Sequence, residues 1–399
     1  MSSEPDRELV SDRLTCESST RAVRAMSNES GDVSVTLLTQ PGLDTIHAWD
    51  HLVCQTPGND VAQLSAWSAV RAQVGFVPRY VLAQRAGQLV GGALVLQRRL
   101  PVLGVVGYVP NGPVIGSEAG RGAAADAVYG ALANLARRHL SGLFVQPPDG
   151  AHDISDHLLR LGFRPSVAGI APAASIRIDL TREIEDIRDK LNSSNRRRTR
   201  TASDRGVTVR LGHERDLPLL ADLLASTAAH QHFNPPSLDY LRTLYRELDR
   251  GDHVKVFIAE VGGVPAAAEL FTGCGGVLTS RLAGMRRCDL VKKSGARVAV
   301  VWHAIAWAKT NGYHTFDFGG IPMDAVDMIR HGDPGFTARL AGPVAFKASF
   351  GGQPFCYPRA VELISSRLLR TGYDLSRRSA VGGHAVAAAK RLMRGGGRR

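Results

Sequence analysis

Apolar and polar positions follow one pattern twice along this chain. From Val33 the run VSVTLL alternates and predicts a first strand. The segment Val81-LAQRAGQLVGGALVL then predicts a strand, a tight turn at Gly87 and a second strand. The segment Phe257-IAEVGGVPAAAELF repeats this, with its turn at Gly263. With Ala83 set on Ala259 the register holds without a gap through Gly91 and Ala267. The glycines supply the positive φ that a hairpin turn needs. Each hairpin is followed by a predicted helix and a short apolar strand. The first pair is Ala124–His139 and GLFVQ, and the second is Ala296–Asn311 and HTFDF. In the second helix Val298, Val301, Trp302, Ile305 and Ala308 share one face, and Gly312 suits the position just past its end. Two β-β-α-β units about 175 residues apart predict a duplicated α/β domain with mixed sheets flanked by helices.

The linear boundaries follow from this repeat. Residues 1–32 are polar and rich in Ser, Glu and Arg, and predict a disordered leader. A first domain is predicted over 33–180 and a second over 181–366. The second opens with an Arg-rich bridge helix over 181–205, which Gly206 ends. Residues 367–399 predict a basic, flexible tail. Such a tail can grip RNA or an anionic membrane surface, or simply remain solvated.

Composition changes this picture in three ways. With 399 residues, 44% apolar and 22% charged, the chain is long enough and apolar enough for large packed cores. Forty-nine Lys and Arg against 37 Asp and Glu leave a net charge of +12, which points to phosphate-rich partners. Cysteines stand at 16, 54, 274, 288 and 356. Their odd number, wide spacing and lack of a CxxC pair argue against a disulfide framework and a structural zinc site, so no metal is expected. The longest uncharged stretch, Pro101–Ser117, is too short and too broken to span a bilayer. The N-terminus has no secretory pattern, and a cytoplasmic location is expected.

The order of several segments resembles the Fem-type aminoacyltransferases of the peptidoglycan interpeptide bridge. The run Gln63-LSAWSAVR is similar to the family's Gln-x-x-x-Trp-x-x-Val-Lys pattern. Tyr108-Val-Pro-Asn-Gly-Pro113 is similar to Tyr-x-Pro-Arg/Lys-Gly-Pro, and Arg196-RRTRTASDRGV to Arg-x-x-x-Arg-x-Ala-x-x-x-Gly-Val. His230-Gln-His-Phe233 stands where the family has Arg-Asp-Gly-Phe, and Phe346-KASFGG matches Phe-Lys-x-x-Phe-Gly-Gly. The resemblance implies two tandem acetyltransferase-like (GNAT-like) halves. It also implies transfer of an amino acid from aminoacyl-tRNA to an amino group, with no other cofactor. The implied acceptor is a peptidoglycan precursor. A small amine of secondary metabolism is the alternative acceptor, and acyl-CoA the alternative donor. The chain lacks the long heptad insertion of some members, so no coiled-coil arm is expected.

By that resemblance Lys347 stabilises the transition state, Arg71 binds precursor phosphate and Tyr108 lines the acceptor pocket. Trp67, Asn111, His230, Phe233 and Phe346 fall at substrate-binding positions, and Arg196, Arg197, Arg198 and Arg200 at positions suited to tRNA or precursor phosphate. The chemistry is consistent, because aminolysis of an ester passes through an oxyanion that a fixed cation stabilises. Each residue also has a plainer reading. Lys347 reads equally as a surface lysine on an amphipathic strand, Arg71 as an exposed arginine, and the Arg196–Arg200 run as a solvated helix face. Asp317 is the sole candidate base, or else it satisfies backbone at a strand end. His230-Gln-His232 has no third metal ligand nearby.

Overall fold

The computed structural model describes residues 33–101, 103–116, 121–231, 233–331, 340, 342–377 and 380–394. The leader, His232 and residues 395–399 lie outside them. The chain opens with β1 (Val33–Leu38), α1 (Leu43–Gln55) and α2 (Ser65–Ala72). Strands β2 (Val77–Arg85), β3 (Gln88–Leu100), β4 (Gly104–Val109) and β5 (Val114–Ile115) follow. Then come α3 (Arg121–His139), β6 (Gly142–Val145), α4 (His152–Arg160), β7 (Arg164–Pro165) and β8 (Ala174–Asp179). Helices α5 (Ile184–Lys190) and α6 (Ser193–Arg200) bridge to β9 (Val207–Gly212), α7 (Leu217–Gln231) and α8 (Leu238–Asp249). The second unit continues with β10 (Val254–Val261), β11 (Val264–Cys274), β12 (Val277–Met285), α9 (Asp289–Ser294), α10 (Ala296–Thr310) and β13 (Thr315–Ile321). It ends with α11 (Asp324–Arg330), α12 (Gly342–Ala348), β14 (Gln353–Cys356) and β15 (Val361–Ile364), before α13 (Arg367–Ser376) and α14 (Ala380–Arg394).

The repeat is real in three dimensions. Both hairpins turn through two left-handed residues, Ala86-Gly87 and Gly262-Gly263. Both carry a register shift at matching places, Ala83/Gln84 and Ala259/Glu260. Gly312 takes φ 80° just past α10, and Gly206 takes φ 68° before β9. The bridge is two helices rather than one. Asn192 interrupts it by accepting a hydrogen bond from the Asn195 amide at 2.8 Å, so that α6 starts afresh.

Among the described residues the strands form two sheets, ordered β1-β2-β3-β4-β6-β15-β7 and β14-β8-β13-β12-β11-β10-β9. With the second order read in reverse, the two match position by position, except that each sheet takes one strand from the other unit's stretch of chain. β8 precedes the bridge yet lies inside the second sheet, between β14 and β13. β15 follows the second unit yet lies inside the first sheet, between β6 and β7. A linear boundary at 180/181 therefore divides the sequence but not the sheets.

Three apolar cores explain why the central strands read as nearly continuous apolar runs. One face of the first sheet, including Val81, Ala83 and Val95, packs against Leu132 and Ala136 of α3. One face of the second, including Phe257, Phe271 and Phe316, packs against Val301 and Ile305 of α10. The third core is shared. Trp49, Leu82 and Leu94 of the first half meet Leu220, Leu224, Leu241, Ile258 and Leu270 of the second. Helices α7 and α8 thus cover the seam and form no coiled-coil arm.

The predicted flexible tail is corrected over its described part. Glu362 on β15 is fully buried and accepts from Arg370 of α13 at 2.8 Å. Met393 of α14 is 3% exposed. Burial of these groups anchors a segment whose basic composition alone suggests solvation. No helix of the described residues is long and apolar enough to cross a membrane.

Candidate functional site

Each sheet contains one pair of parallel strands, and in the second sheet that pair parts company. β4 and β6 pair from Val106–Val109 against Gly142–Val145. β12 and β13 pair only over Val277–Thr279 against Thr315–Asp317. A cavity of about 290 Å³ lies beside the ends of the first pair, lined by Tyr108, Phe144, Gln146, Ile170, Met323 and Tyr357 among others. A narrower cleft adjoins it, with Asn111 and Asp149 from the first half and Thr279, Asp317 and Tyr357 from the second. Tyr357 belongs to both.

The buried carboxylate of Asp317 organises this junction. Its Oδ1 accepts from the Ser175 hydroxyl and from the Gly319 amide at 2.7 Å. Its Oδ2 accepts from Arg177 Nε at 2.7 Å and from the Tyr357 hydroxyl at 3.0 Å. Arg177 also donates to Asp149 and lies over the Phe355 ring at 3.5 Å. Burial opposes the Arg177 charge, yet Asp317, Tyr357 and Asp149 raise its pKa above the ordinary arginine value. Burial, and then Asp317, pushes the Tyr357 hydroxyl well above the usual tyrosine value. With four donors on its two oxygens, Asp317 is a scaffold and has no lone pair free for a base's work. Both backbone and side chains occupy it, which extends the strand-end reading.

Lys347 sits on helix α12, not on a strand. It is half-buried, and its ammonium donates to the carbonyls of Gly319 at 3.0 Å and Gly320 at 2.8 Å. These carbonyls lie where β13 loses register with β8 and where β12 has already turned away. Gly319 takes φ 72°, and a Cβ there would stand 3.0 Å from the Ser280 carbonyl, so a side chain would close the gap. Burial lowers the Lys347 pKa, while Asp317 and Glu269 pull it back up. Glu269 is itself 3% exposed, accepts from the Ser280 hydroxyl and is raised by burial, against Arg297, Ser280 and Lys347. An ammonium has three N–H donors, and two are spent on carbonyls, so one remains to meet a developing oxyanion.

The other sequence-predicted residues divide sharply. Tyr108 lines the cavity and Asn111, left-handed at φ 47°, lines the cleft. Trp67 does not line the cleft but is linked to it by Arg281, which lies 5.9 Å over its ring and pairs with Asp60 at 2.5 Å. Phe346 carries Arg297 over its face at 3.9 Å and supports the Glu269–Lys347 cluster. Arg71 is neither exposed nor in the cleft. It is 6% exposed, lies over Phe76 at 4.4 Å and donates to the Met393 carbonyl at 2.8 Å. Arg98 donates to the neighbouring Leu392 carbonyl at 2.6 Å, so two cations cap the end of α14. His230 is exposed at the end of α7 and Phe233 is also exposed, and neither lines the cavity or the cleft.

Arg197 and Arg200 face solvent on α6, while Arg196 and Arg198 are half-buried, Arg196 donating to the Asp189 carbonyl at 2.9 Å. Helix α6 is tied to the segment after Lys347, because Asn195 Nδ2 donates to Ser349 Oγ at 2.7 Å. Arg177, Tyr357, Asp149 and Glu269 carry no signal in the sequence, and Gln63 carries a motif position but no role. Gln63 opens the Gln-x-x-x-Trp run. Its side chain accepts from the Leu94 amide at 2.8 Å and donates to the Pro110 carbonyl at 2.6 Å, fixing the turn after Tyr108.

Comparison with known proteins agrees with this architecture. Residues 189–326 match a family model described as an acetyltransferase (GNAT) domain. A lipid II:glycine glycyltransferase of Staphylococcus aureus (strain MRSA252) is 22% identical over 224 residues, 53% of this chain and 53% of that one. The chain spans about half the length of the curated relatives it matches. A crystal structure of FemX superposes with a TM-score of 0.70 at 17% identity, over 83% of this chain and 98% of that one. The C-terminal domain of a putative lysylphosphatidylglycerol synthetase from Agrobacterium fabrum gives 0.53 at 15% identity, over 89% and 98%. A tandem GNAT protein from the clavulanic acid biosynthesis pathway gives 0.50 at 12% identity, over 84% and 99%. The fold is that of two tandem GNAT-like halves.

Proposed function

We propose that this chain transfers an aminoacyl group from aminoacyl-tRNA to an amino group of a peptidoglycan precursor. The observation that carries the reading is Lys347, half-buried at the fork of β12 and β13 with two of its N–H groups held by carbonyls. In the reaction a neutral acceptor amine attacks the ester carbonyl of the donor. The carbonyl oxygen gains charge, and the third N–H of Lys347 stabilises it, an effect worth roughly 3–4 kcal/mol where single oxyanion donors are removed. Collapse forms the amide, and the 3′ oxygen of the tRNA leaves with the proton given up by the amine. Positioning in the cleft takes the place of a strong base.

The cavity bounded by Tyr108, Phe144 and Tyr357 is the acceptor side in this reading. The relative's name gives lipid II as its acceptor and glycine as the group moved, which favours a small amino acid (Gly, Ala or Ser) here. The net charge of +12 and the exposed Arg197 and Arg200 suit a tRNA. An acyl-CoA donor is less favoured. Pyrophosphate needs free amides at a helix start, and Lys292-Lys-Ser-Gly-Ala-Arg297 is wound into α9 and the start of α10. Its Arg297 turns inward over Phe346.

The test is transfer of labelled amino acids from charged total tRNA, with and without ribonuclease, to a muropeptide precursor and to a panel of small amines. Ribonuclease-sensitive label on the precursor is the expected result. Label only on a small amine overturns the acceptor. Turnover with acyl-CoA and none with charged tRNA overturns the donor.

A further inference from the structure

A cluster of soft ligands lies at the seam between the halves, apart from Lys347 and its surroundings. Cys54 comes from α1 of the first half, His253 from the residue before β10 and Cys274 from the end of β11. Their ligand atoms all lie within 4.8 Å of one another, and Cys54 Sγ stands 3.7 Å from His253 Nε2. Tetrahedral zinc with its usual bond lengths separates ligand atoms by about 3.6–3.8 Å, so the Cys54–His253 pair already has the spacing of a metal-bound pair.

The histidine is oriented for this. Its Nδ1 lies 2.8 Å from the Gly273 carbonyl. A carbonyl only accepts, so Nδ1 carries the proton and Nε2 presents a lone pair towards Cys54. A backbone acceptor that fixes the tautomer of a metal-binding histidine is a recurrent support for such ligands. Two thiols and one imidazole suit zinc over magnesium or calcium, which prefer oxygen. Because the three ligands come from separate elements, the spacing rules that look for CxxC do not reveal them.

We propose that Cys54, His253 and Cys274 bind one zinc ion that fastens α1 of the first half to the β10–β11 hairpin of the second. Both thiols bind as thiolates and release their protons to solvent, and their charges cancel that of the ion. His253 binds neutral, keeping its proton on Nδ1. Water fills the fourth position, since Cys54 and His253 are only half-buried. The chain following Cys54 carries Gly58, Asn59 and Asp60 into the cleft, and the Gly58 amide donates to the Gly275 carbonyl at 3.0 Å. An ion at Cys54 and Cys274 grips both sides of that contact and fixes the wall of the cleft that bears Asp60.

The experiment uses the full chain, reduced and stripped of metal, titrated with zinc and separately with cobalt. About one equivalent of zinc per chain is expected, with a thiolate-to-cobalt charge-transfer band on cobalt loading. Cys54→Ser and Cys274→Ser should each weaken zinc binding at least about tenfold and diminish the band. Cys288→Ser, at an exposed site elsewhere, should bind as the parent does. Zinc should raise the unfolding midpoint of the parent and not of Cys54→Ser. Absence of stoichiometric zinc or of a thiolate–cobalt band in the unsubstituted chain overturns the proposal, whatever the variants do. So does zinc affinity in Cys54→Ser or Cys274→Ser equal to that of the parent, or a Cys54–Cys274 disulfide in the protein as isolated.

Discussion

Replacing Asp317 by Asn tests whether the junction between cavity and cleft is held by charge. The two side chains have nearly the same shape. The carboxylate accepts four hydrogen bonds, two on each oxygen, from Ser175, Gly319, Arg177 and Tyr357. An amide keeps one acceptor oxygen, and its NH₂ then points at two donors. Whichever way it is turned, one pair of partners is lost and Arg177 loses a buried counter-charge. Removing one partner of a buried ion pair typically costs about 3–5 kcal/mol. Asp149 still pairs with Arg177, which favours the lower end. For a chain of this size the unfolding entropy is about 0.7 kcal/mol per degree, so the midpoint should fall by roughly 4–7 °C. Tyr357→Phe removes one of the four bonds and should cost about 1–3 kcal/mol. Calorimetric or circular-dichroism melts of parent and both variants give the comparison. If Asp317→Asn melts within about 1 °C of the parent, the carboxylate network is not what holds this junction.

Three further outcomes follow from other parts of the molecule. Lys347→Met should lower transfer about 10²–10³-fold with an unchanged melting curve if the ammonium acts on the oxyanion, and loss of the fold would instead make it structural. Met393→Ala should destabilise the chain by about 2–4 kcal/mol in urea unfolding, because Met393 is buried; a loose tail would give no change. Arg210 hydrogen bonds, the largest influence on it, hold Asp216 below its ordinary 3.8. A lowered carboxyl pKa stabilises the fold above the unfolded value, and that contribution is lost as pH falls through the folded value. Stability of the parent should therefore drop more steeply below about pH 4 than that of Asp216→Asn, as acid titrations in urea would measure.

What could be read from the sequence was local. The hairpin turns at Gly87 and Gly263 and the helix ending at Gly312 depend on residues a few positions apart, and all three stand as predicted. Tyr108 and Lys347 could be singled out because each sits in a short segment similar to a family pattern, although Lys347 lies on a helix and not on a strand. Arg177 and Asp149 were not legible, and of Asp317 only its strand-end role was, because the bonds that join these three link residues 28 to 140 positions apart. The fate of Arg71 was hidden for the same reason, its acceptor lying 322 positions away. The exchanged strands β8 and β15 are six and four residues long, too short to declare which sheet they join.

That exchange has a bearing on how the protein is made. The slot between β6 and β7 is present once residue 165 has been synthesised, but its occupant β15 begins at Val361. The intervening 195 residues take roughly 10–40 s to translate at ordinary rates. Throughout that interval the first sheet carries two unpaired strand flanks beside an incomplete apolar face. A ribosome stalled in the second unit therefore strands a first half that exposes edges able to pair with another chain. Swift passage through codons 166–360 would shorten that exposure.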